Sequence, residues 1–282
     1  IGTPGQFITG AFAAVYVGVH WTFLPAEIHW IVALLAAFIV GGLWAIVPGI
    51  MKAYLNVNEV ISSIMMNYIG MYLVNFLVKA TVFDELRSQS LGVASSAEIP
   101  RLGLDQLFRG STLNAGILIA LGMVIIIYII LNKTKFGYEM KACGFNADAA
   151  RYAGINEKKN IVLAMVIAGA LAGIGGGLVY LSGSGKFISI VEVLAPEGFN
   201  GIPVALLGLS NPIGIFFSGI FISYLTVGGN LMQQFGFIPE IVDIIISAII
   251  YCSALSLMIK LWLAKKKSTH KKQMIETKEG DE

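Results

Sequence analysis

Long apolar runs recur along the chain, separated by short polar breaks. A helix that spans a bilayer needs about 20 consecutive, mostly apolar residues. Residues 28–50, 60–80, 113–131, 160–182, 211–231 and 239–263 meet that requirement and predict spanning helices. Two further segments are interrupted. Residues 5–24 open on Thr3-Pro4-Gly5-Gln6, and 187–209 carry Glu192, Pro196, Glu197, Asn200 and Pro203 before a short apolar run from Ile202 to Leu209. If both traverse, the fold is all-α: a polytopic transmembrane helix bundle of about eight crossings, two of them interrupted. The expected organisation is a membrane domain over 1–263, a polar loop at 133–159 within it, and a basic tail at 264–282.

Charge orients the bundle. The stretch 133–159 holds Lys133, Lys135, Lys141, Arg151, Lys158 and Lys159 against Glu139, Asp148 and Glu157, and the tail holds Lys265, Lys266, Lys267, Lys271 and Lys272. Cytoplasmic loops are enriched in Lys and Arg, so both regions are expected inside, with the C-terminus cytoplasmic. Residues 81–112 mix Arg87, Arg101 and Arg109 with Asp84, Glu85, Glu98 and Asp105, and are expected as the long outer loop. Two cytoplasmic regions must be separated by an even number of crossings. Residues 160–182, 211–231 and 239–263 supply three, so 187–209 must cross too. Its eight-residue apolar run covers only about 12 Å as a helix. Non-helical backbone at membrane depth survives where it is buried in protein or lines a cavity, so this crossing is expected to face a pathway. Pro4-Gly5-Gln6-Phe7 and Pro196-Glu197-Gly198-Phe199 also resemble each other, and paired Gly/Pro interruptions point to a transporter's binding site. The plainer reading is two loops that end where helices begin.

Composition removes the soluble alternatives. The chain is 56% hydrophobic and 13% charged with a mean hydropathy of +0.79, against about 25% charged residues in an average soluble domain. A net charge of +2 gives no footprint for nucleic acid. Cys143 and Cys252 form neither a paired framework nor a metal-binding spacing. The histidines His20, His29 and His270 offer no HExxH pattern, so neither a metal site nor an intramembrane protease is expected. Gly183-Ser184-Gly185-Lys186 fails as a phosphate loop, because Tyr180 stands at the first glycine position and Phe187 follows the lysine. No charged region precedes Gln6 and the chain opens at Ile1, so an upstream portion is expected to be missing.

The most informative polar stretch is TKFGYEMKACGFNADAARYAGINEKKN, residues 134–160. Asn146 can cap a short helix over Ala147 to Ala153, and Gly154 suits its stop. A small-faced helix carrying Ala149 and Ala150, between Gly144 and Gly154, is a shape that docks into a groove on a partner. A solvated basic loop is the competing reading. Within the spans, Gln6, Asn67 and Asn200 need hydrogen-bond partners, because an unpaired polar group in hydrocarbon costs several kcal/mol. Contact with a polar solute and bonding between helices both account for them. Phe7 and Phe199 could stack on a base or pack as ordinary aromatics. Gly169, Gly173, Gly175, Gly176 and Gly177 are expected to let helices approach closely.

Four stretches in order then carry a family resemblance. Residues 134–160 resemble the coupling-loop signature of permeases from ATP-binding-cassette importers of the branched-chain amino acid and ribose type. NVNEVISSIMMNYIGMYLVNFLV (56–78) is similar to a motif of the bacterial nucleoside-importer permeases in that group, and IGTPGQFITGAFAA (1–14) and GFNGIPVALLGLSNPIG (198–214) resemble two more of its segments. Pro4 stands where the family usually has an acidic residue, which bears on the exact substrate. The resemblance implies a permease of a bacterial cytoplasmic membrane, not an enzyme, that carries nucleosides and binds no cofactor itself. ATP would be used by a cytoplasmic ATPase docked on the 146–154 helix. A second permease subunit, an extracytoplasmic binding protein or lipoprotein, and membrane lipid would complete its partners. Gln6, Phe7, Asn67, Phe199 and Asn200 would contact solute, and Gly144, Asn146, Ala149, Ala150 and Gly154 would couple to the ATPase. Alternatives are import of a sugar or branched-chain amino acid, or a stand-alone carrier coupled to ions through Glu59, Glu192 or Glu197. Such a carrier has no use for a docking helix.

The topology is open to test by labelling cysteines from outside intact cells. Ser95→Cys is expected to react and Ser268→Cys to stay protected; labelling of the tail, with or without residue 95, would overturn the parity argument.

Overall fold

The computed structural model describes residues 1–103 and 113–232 and, beyond these, 236, 238, 241, 244–249, 251, 252 and 255. The tail at 264–282 and most of the expected span 239–263 lie outside the described residues, although 244–249, 251, 252 and 255 are helical. The chain divides into two compact units, Ile1–Gly201 and Ile202–Glu282.

The first unit holds α1 (Thr3–His20), α2 (Ala26–Leu55), α3 (Glu59–Thr81), α4 (Gly116–Lys133), α5 (Lys135–Phe145), α6 (Ala147–Tyr152), α7 (Glu157–Tyr180) and the start of α8 (Pro196–Leu207). The second holds the rest of α8 and α9 (Pro212–Met232). Among the described residues five helices are long and apolar enough to cross a membrane: Ala26–Leu55, Glu59–Thr81, Gly116–Lys133, Glu157–Tyr180 and Pro212–Gly229. The chain is therefore a multi-pass, all-α membrane protein; eight crossings is not a number these helices establish.

One expectation is corrected. The segment 5–24 is not interrupted: α1 runs unbroken from Thr3 to His20 with Pro4 in its first turn. Proline lacks the N–H that a first turn leaves unused and has φ preset for a helix, so Pro4 starts this helix. The segment 187–209 does depart from an ordinary span. Its first part, 187–195, is not helical, and α8 has only 12 residues, about 18 Å of helix.

At the centre of the first unit α1 packs against α2, α3 and α7. Small residues make this possible. A β-carbon on Gly173 would run into the Ala37 carbonyl and Gly41, one on Gly169 into Ala45, and one on Gly10 into Gly173 itself. Lipid tails are as apolar as leucine, so helices in a membrane associate through close packing instead of water exclusion. The expected glycine stripe on α7 is that surface. Ala14, Val17, Ala33, Leu34, Ala37 and Leu181 close the core above it.

The segment after α3 caps one end of the unit. β1 (Phe83–Asp84) pairs antiparallel with β2 (Gln89–Ser90), and a 3-10 turn follows at Ser95–Ala97. Backbone bonds from Ala94 N to Gly18 O and from Ile99 N to Leu181 O fasten this cap to the ends of α1 and α7. His29, fully buried on α2, places Nε2 3.0 Å from Val17 O and Nδ1 2.9 Å from Ser96 Oγ. A carbonyl only accepts, so Nε2 donates to Val17 O, while Nδ1 pairs with the serine hydroxyl. At the opposite end α2 and α3 are joined by residues 56–58 alone, with Lys52 Nζ 2.8 Å from Glu59 Oε2. In the second unit, Ser218 Oγ on α9 donates to Val204 O of α8 at 2.8 Å.

Two substitutions on α7 separate close packing from helix propensity. Gly175→Ala meets only the Phe7 ring edge at 3.9 Å and should hold or raise the melting temperature in detergent, since alanine favours a helix over glycine by about 1 kcal/mol. Gly173→Ala should lower it, by roughly 1–3 kcal/mol of overpacking. Equal shifts would show that the glycine contact carries no stability.

Candidate functional site

Two places gather the polar residues of interest. The first lies where α1 begins. Asn67 is 1% exposed on α3; its Oδ1 accepts from Gly5 N at 3.0 Å, and its Nδ2 donates to Ile1 O at 2.9 Å. The first turn of a helix leaves its N–H groups without partners inside the helix, and one asparagine amide satisfies one of them. Gly5 is required for the approach, because a β-carbon there would sit 2.9 Å from the Asn67 Cα. Thr9 Oγ1 turns back onto Gly5 O at 2.8 Å. Gln6 is buried beside Gly2, and Phe7 is buried with its ring 6.4 Å from that of Tyr180.

The non-helical leg then brings α8 to the same point. Ser189 bridges Gln89, Ser90 N donates to Ile188 O at 2.9 Å, and Asn75 Nδ2 on α3 donates to Val191 O at 3.0 Å. By Gly198 the chain lies against Pro4, so closely that no β-carbon would fit. Asn75 and Asn67 are eight residues apart on α3, about 12 Å along its axis. Between Val191 and the start of α1 the leg therefore descends by about that distance. The two look-alike motifs, Pro4 to Phe7 and Pro196 to Phe199, meet here.

A cavity of about 210 Å³ remains between α1, α3, α7 and the leg, lined by Ile8, Met71, Asn75, Tyr180 and Glu197 among others. Lys186 Nζ stands 3.7 Å from Glu197 Oε1. Of the sequence candidates, Gln6, Phe7 and Asn67 are brought together but buried in the packing of α1. Phe199 and Asn200 are exposed on α8. Asn75 and Tyr180 went unnoticed in the sequence. Asn75 was findable, as the second asparagine on the same face of α3.

The second place is the polar region between α4 and α7. Asn146 Oδ1 accepts from Ala149 N at 3.0 Å to cap α6, and Gly154 takes φ of +80° just past its end. Ala149 is exposed; Ala150 is 4% exposed. Gly144 and Gly154 flank α6, with Gly144 in the last turn of a preceding helix, α5. Thr134 Oγ1 caps α5 by accepting from Gly137 N at 3.1 Å, and Gly137 lies against the backbone of Ile130 and Leu131 where the chain turns sharply out of α4. Asn160 Nδ2 reaches Glu139 Oε2 at 3.4 Å, and Arg151 pairs with Glu157, so α5, α6 and α7 form one knob. The hydrogen bond that Arg151 donates to the Glu157 carboxylate raises the Arg151 pKa further. Burial, then the charges of Glu157 and Glu139, raise that of the Cys143 thiol, which keeps it a poor nucleophile. Phe145 and Tyr152 stand 89% and 95% exposed on the knob. That is unusual for aromatics outside the spans.

Comparison with known proteins agrees with this architecture. The family profile described as branched-chain amino acid transport system / permease component matches residues 1–254. The guanosine ABC transporter permease protein NupP of Bacillus subtilis is 37% identical over 268 residues, 95% of this chain and 76% of that protein. The nucleoside ABC transporter permease protein NupB of Lactococcus lactis is 36% identical over 275 residues, 95% of this chain and 75% of its own length. The glucose ABC transporter permease protein TsgB13 of Haloferax volcanii is 30% identical over 259 residues, 89% of this chain and 67% of its own. No solved structure gives a significant match.

Substitution separates the two kinds of candidate. Asn67→Ala strands Gly5 N–H and is expected to cost about 1–3 kcal/mol, seen as a lower melting temperature. Phe199→Ala should leave that temperature unchanged and reduce uptake. The reverse pattern would make Asn67 a solute contact and Phe199 a packing residue.

Proposed function

The chain belongs to the family of branched-chain amino acid transport system permease components, and from that premise we propose that it imports nucleosides across the cytoplasmic membrane of a bacterium. It is the membrane-spanning transport component of an ATP-binding-cassette importer, a class that works with an ATPase and a solute-binding protein. The observation that carries the choice of solute is the similarity, over nearly the whole chain, to two permeases named for guanosine and nucleosides.

The geometry supports a route for such a solute. A nucleoside offers a flat aromatic base and hydroxyl groups, which call for stacking surfaces and amide or hydroxyl partners. At the meeting of α1 and α8, Tyr180 and Asn75 line the cavity, and Phe199 and Asn200 lie exposed on α8. In this reading Asn67, Gln6 and Phe7 hold the start of α1 in place, and the exposed pair on α8 touches the solute. The leg 187–195 and α8 make the irregular crossing, with the backbone of Ile188, Ser189 and Ile190 bonded to the cap. The solute arrives from an extracytoplasmic binding protein, on the side of residues 81–103. A second permease subunit completes the pathway.

The knob of α5 and α6 faces the cytoplasm, as does the basic tail, and receives the ATPase that hydrolyses ATP. Gly144, Asn146, Ala149, Ala150 and Gly154 shape it, and Phe145 and Tyr152 supply exposed aromatic anchors of the kind enriched at interface hot spots.

Ala149→Trp adds bulk to an exposed face and should leave membrane insertion normal while the ATPase no longer co-purifies and uptake is lost. Ala150→Trp is the poorer probe, because that side chain is buried. A solvated loop would tolerate Ala149→Trp within about 0.5 kcal/mol, so full uptake and intact co-purification would refute the docking. Competition by a panel of nucleosides, ribose, glucose and leucine against labelled guanosine tests the solute; inhibition by sugar or leucine alone would overturn it.

A further inference from the structure

A cleft runs down the membrane-facing side of the first unit between α2, α4 and α7. It holds about 490 Å³ and is walled by Trp30, Leu34 and Phe38 of α2, Ile119 and Met123 of α4, and Ile174 of α7. Every one of these side chains is apolar or aromatic. The α4 wall touches the bundle only near its start, where Gly116 is buried and Ile119 packs on the core; none of its later residues is buried. Trp30 to Phe38 covers eight residues, about 12 Å of helix. Half of a hydrocarbon core of about 30 Å is about 15 Å, so the cleft is one leaflet deep.

A second cavity of about 570 Å³ opens at the capped end, and Trp30 lines both. Here the walls change character: Glu27, Glu98, Arg101 and Ser182 surround the opening. Among the described residues none of these three charged groups takes part in an ion pair. Tryptophan collects where hydrocarbon gives way to headgroups, which sets the boundary between the two cavities at the membrane surface.

We propose that the two cavities together hold one glycerophospholipid with an amine-bearing headgroup, taken from the leaflet on the side of residues 81–103. An acyl chain fills the apolar cleft. Its phosphate faces the Arg101 guanidinium, and its ammonium faces the carboxylates of Glu27 and Glu98. Both signs of charge at one opening suit a zwitterion; an anionic lipid would meet two carboxylates, and a chain without a headgroup would leave all three charges unused. The lipid ties α4 to α2 and α7 and so steadies the helix that leads into the knob.

The test uses the complete importer complex, purified in mild detergent, with bound lipid counted by native mass spectrometry. The wild type should retain phosphatidylethanolamine. After delipidation, adding it back should raise the melting temperature, and phosphatidylglycerol should not. Met123→Trp fills the cleft and should abolish retention. Glu98→Gln, at an exposed position, should weaken it about tenfold without altering the fold, as the loss of one charge-assisted bond would. Equal retention of both lipids, or undiminished retention in both variants, overturns the proposal. So does a photo-crosslinker at Met123 that joins protein instead of lipid.

Discussion

The first turn of a helix leaves N–H groups without partners inside the helix, and at the buried start of α1 a neighbouring helix supplies one. A buried group left without a partner costs several kcal/mol. Asn67 meets Gly5 N and Ile1 O with the two ends of a single amide. That bond fixes the height of α1 against α3. The height brings Gly10 level with Gly173 and Pro4 level with Gly198, so the central packing and the arrival of α8 both follow from it. The most polar part of the chain's first segment is thus also its most buried.

The same bond explains why α1 is the helix that falls short of membrane-span hydropathy while being the most enclosed. Its neighbours α2, α3 and α7 present apolar faces to lipid, and α1 presents almost none. A helix sheltered by protein can carry Gln6 and Thr9 at little cost. Read alone, its sequence suggests a weak or broken span; read in place, it is the axis of the unit.

Much of this was legible in the order of residues. Spans 28–50, 60–80, 113–131, 160–182 and 211–231 follow from apolar length alone, because bilayer thickness fixes what counts as enough. The Asn146 cap and the Gly154 stop were legible for a local reason: a cap and a left-handed terminus involve only neighbours in sequence. What escaped was non-local. Pro4 reads as an interruption until the helix it starts is seen. The run KFGYEMKACGF contains two glycines and looks like loop, yet it folds as α5 because the turn at Gly137 lays it against the end of α4. The pairing of Ser189 with Gln89 spans a hundred residues and leaves no periodic trace. That Phe199 and Asn200 lie exposed was out of reach too, since exposure on a helix face is set by what packs behind it.

The glycine seam between α2 and α7 has a consequence for how the molecule responds to temperature. A core in water gains most of its cohesion from excluded solvent, and that gain fades on cooling together with its large heat-capacity change. Here the surfaces that would separate meet lipid instead of water, so little apolar hydration changes when they part. Cohesion along Ala37, Gly41, Gly169 and Gly173 comes from atoms in contact. Such contact keeps its strength in the cold, and the bundle inherits a stability curve flatter than that of a soluble domain of its size.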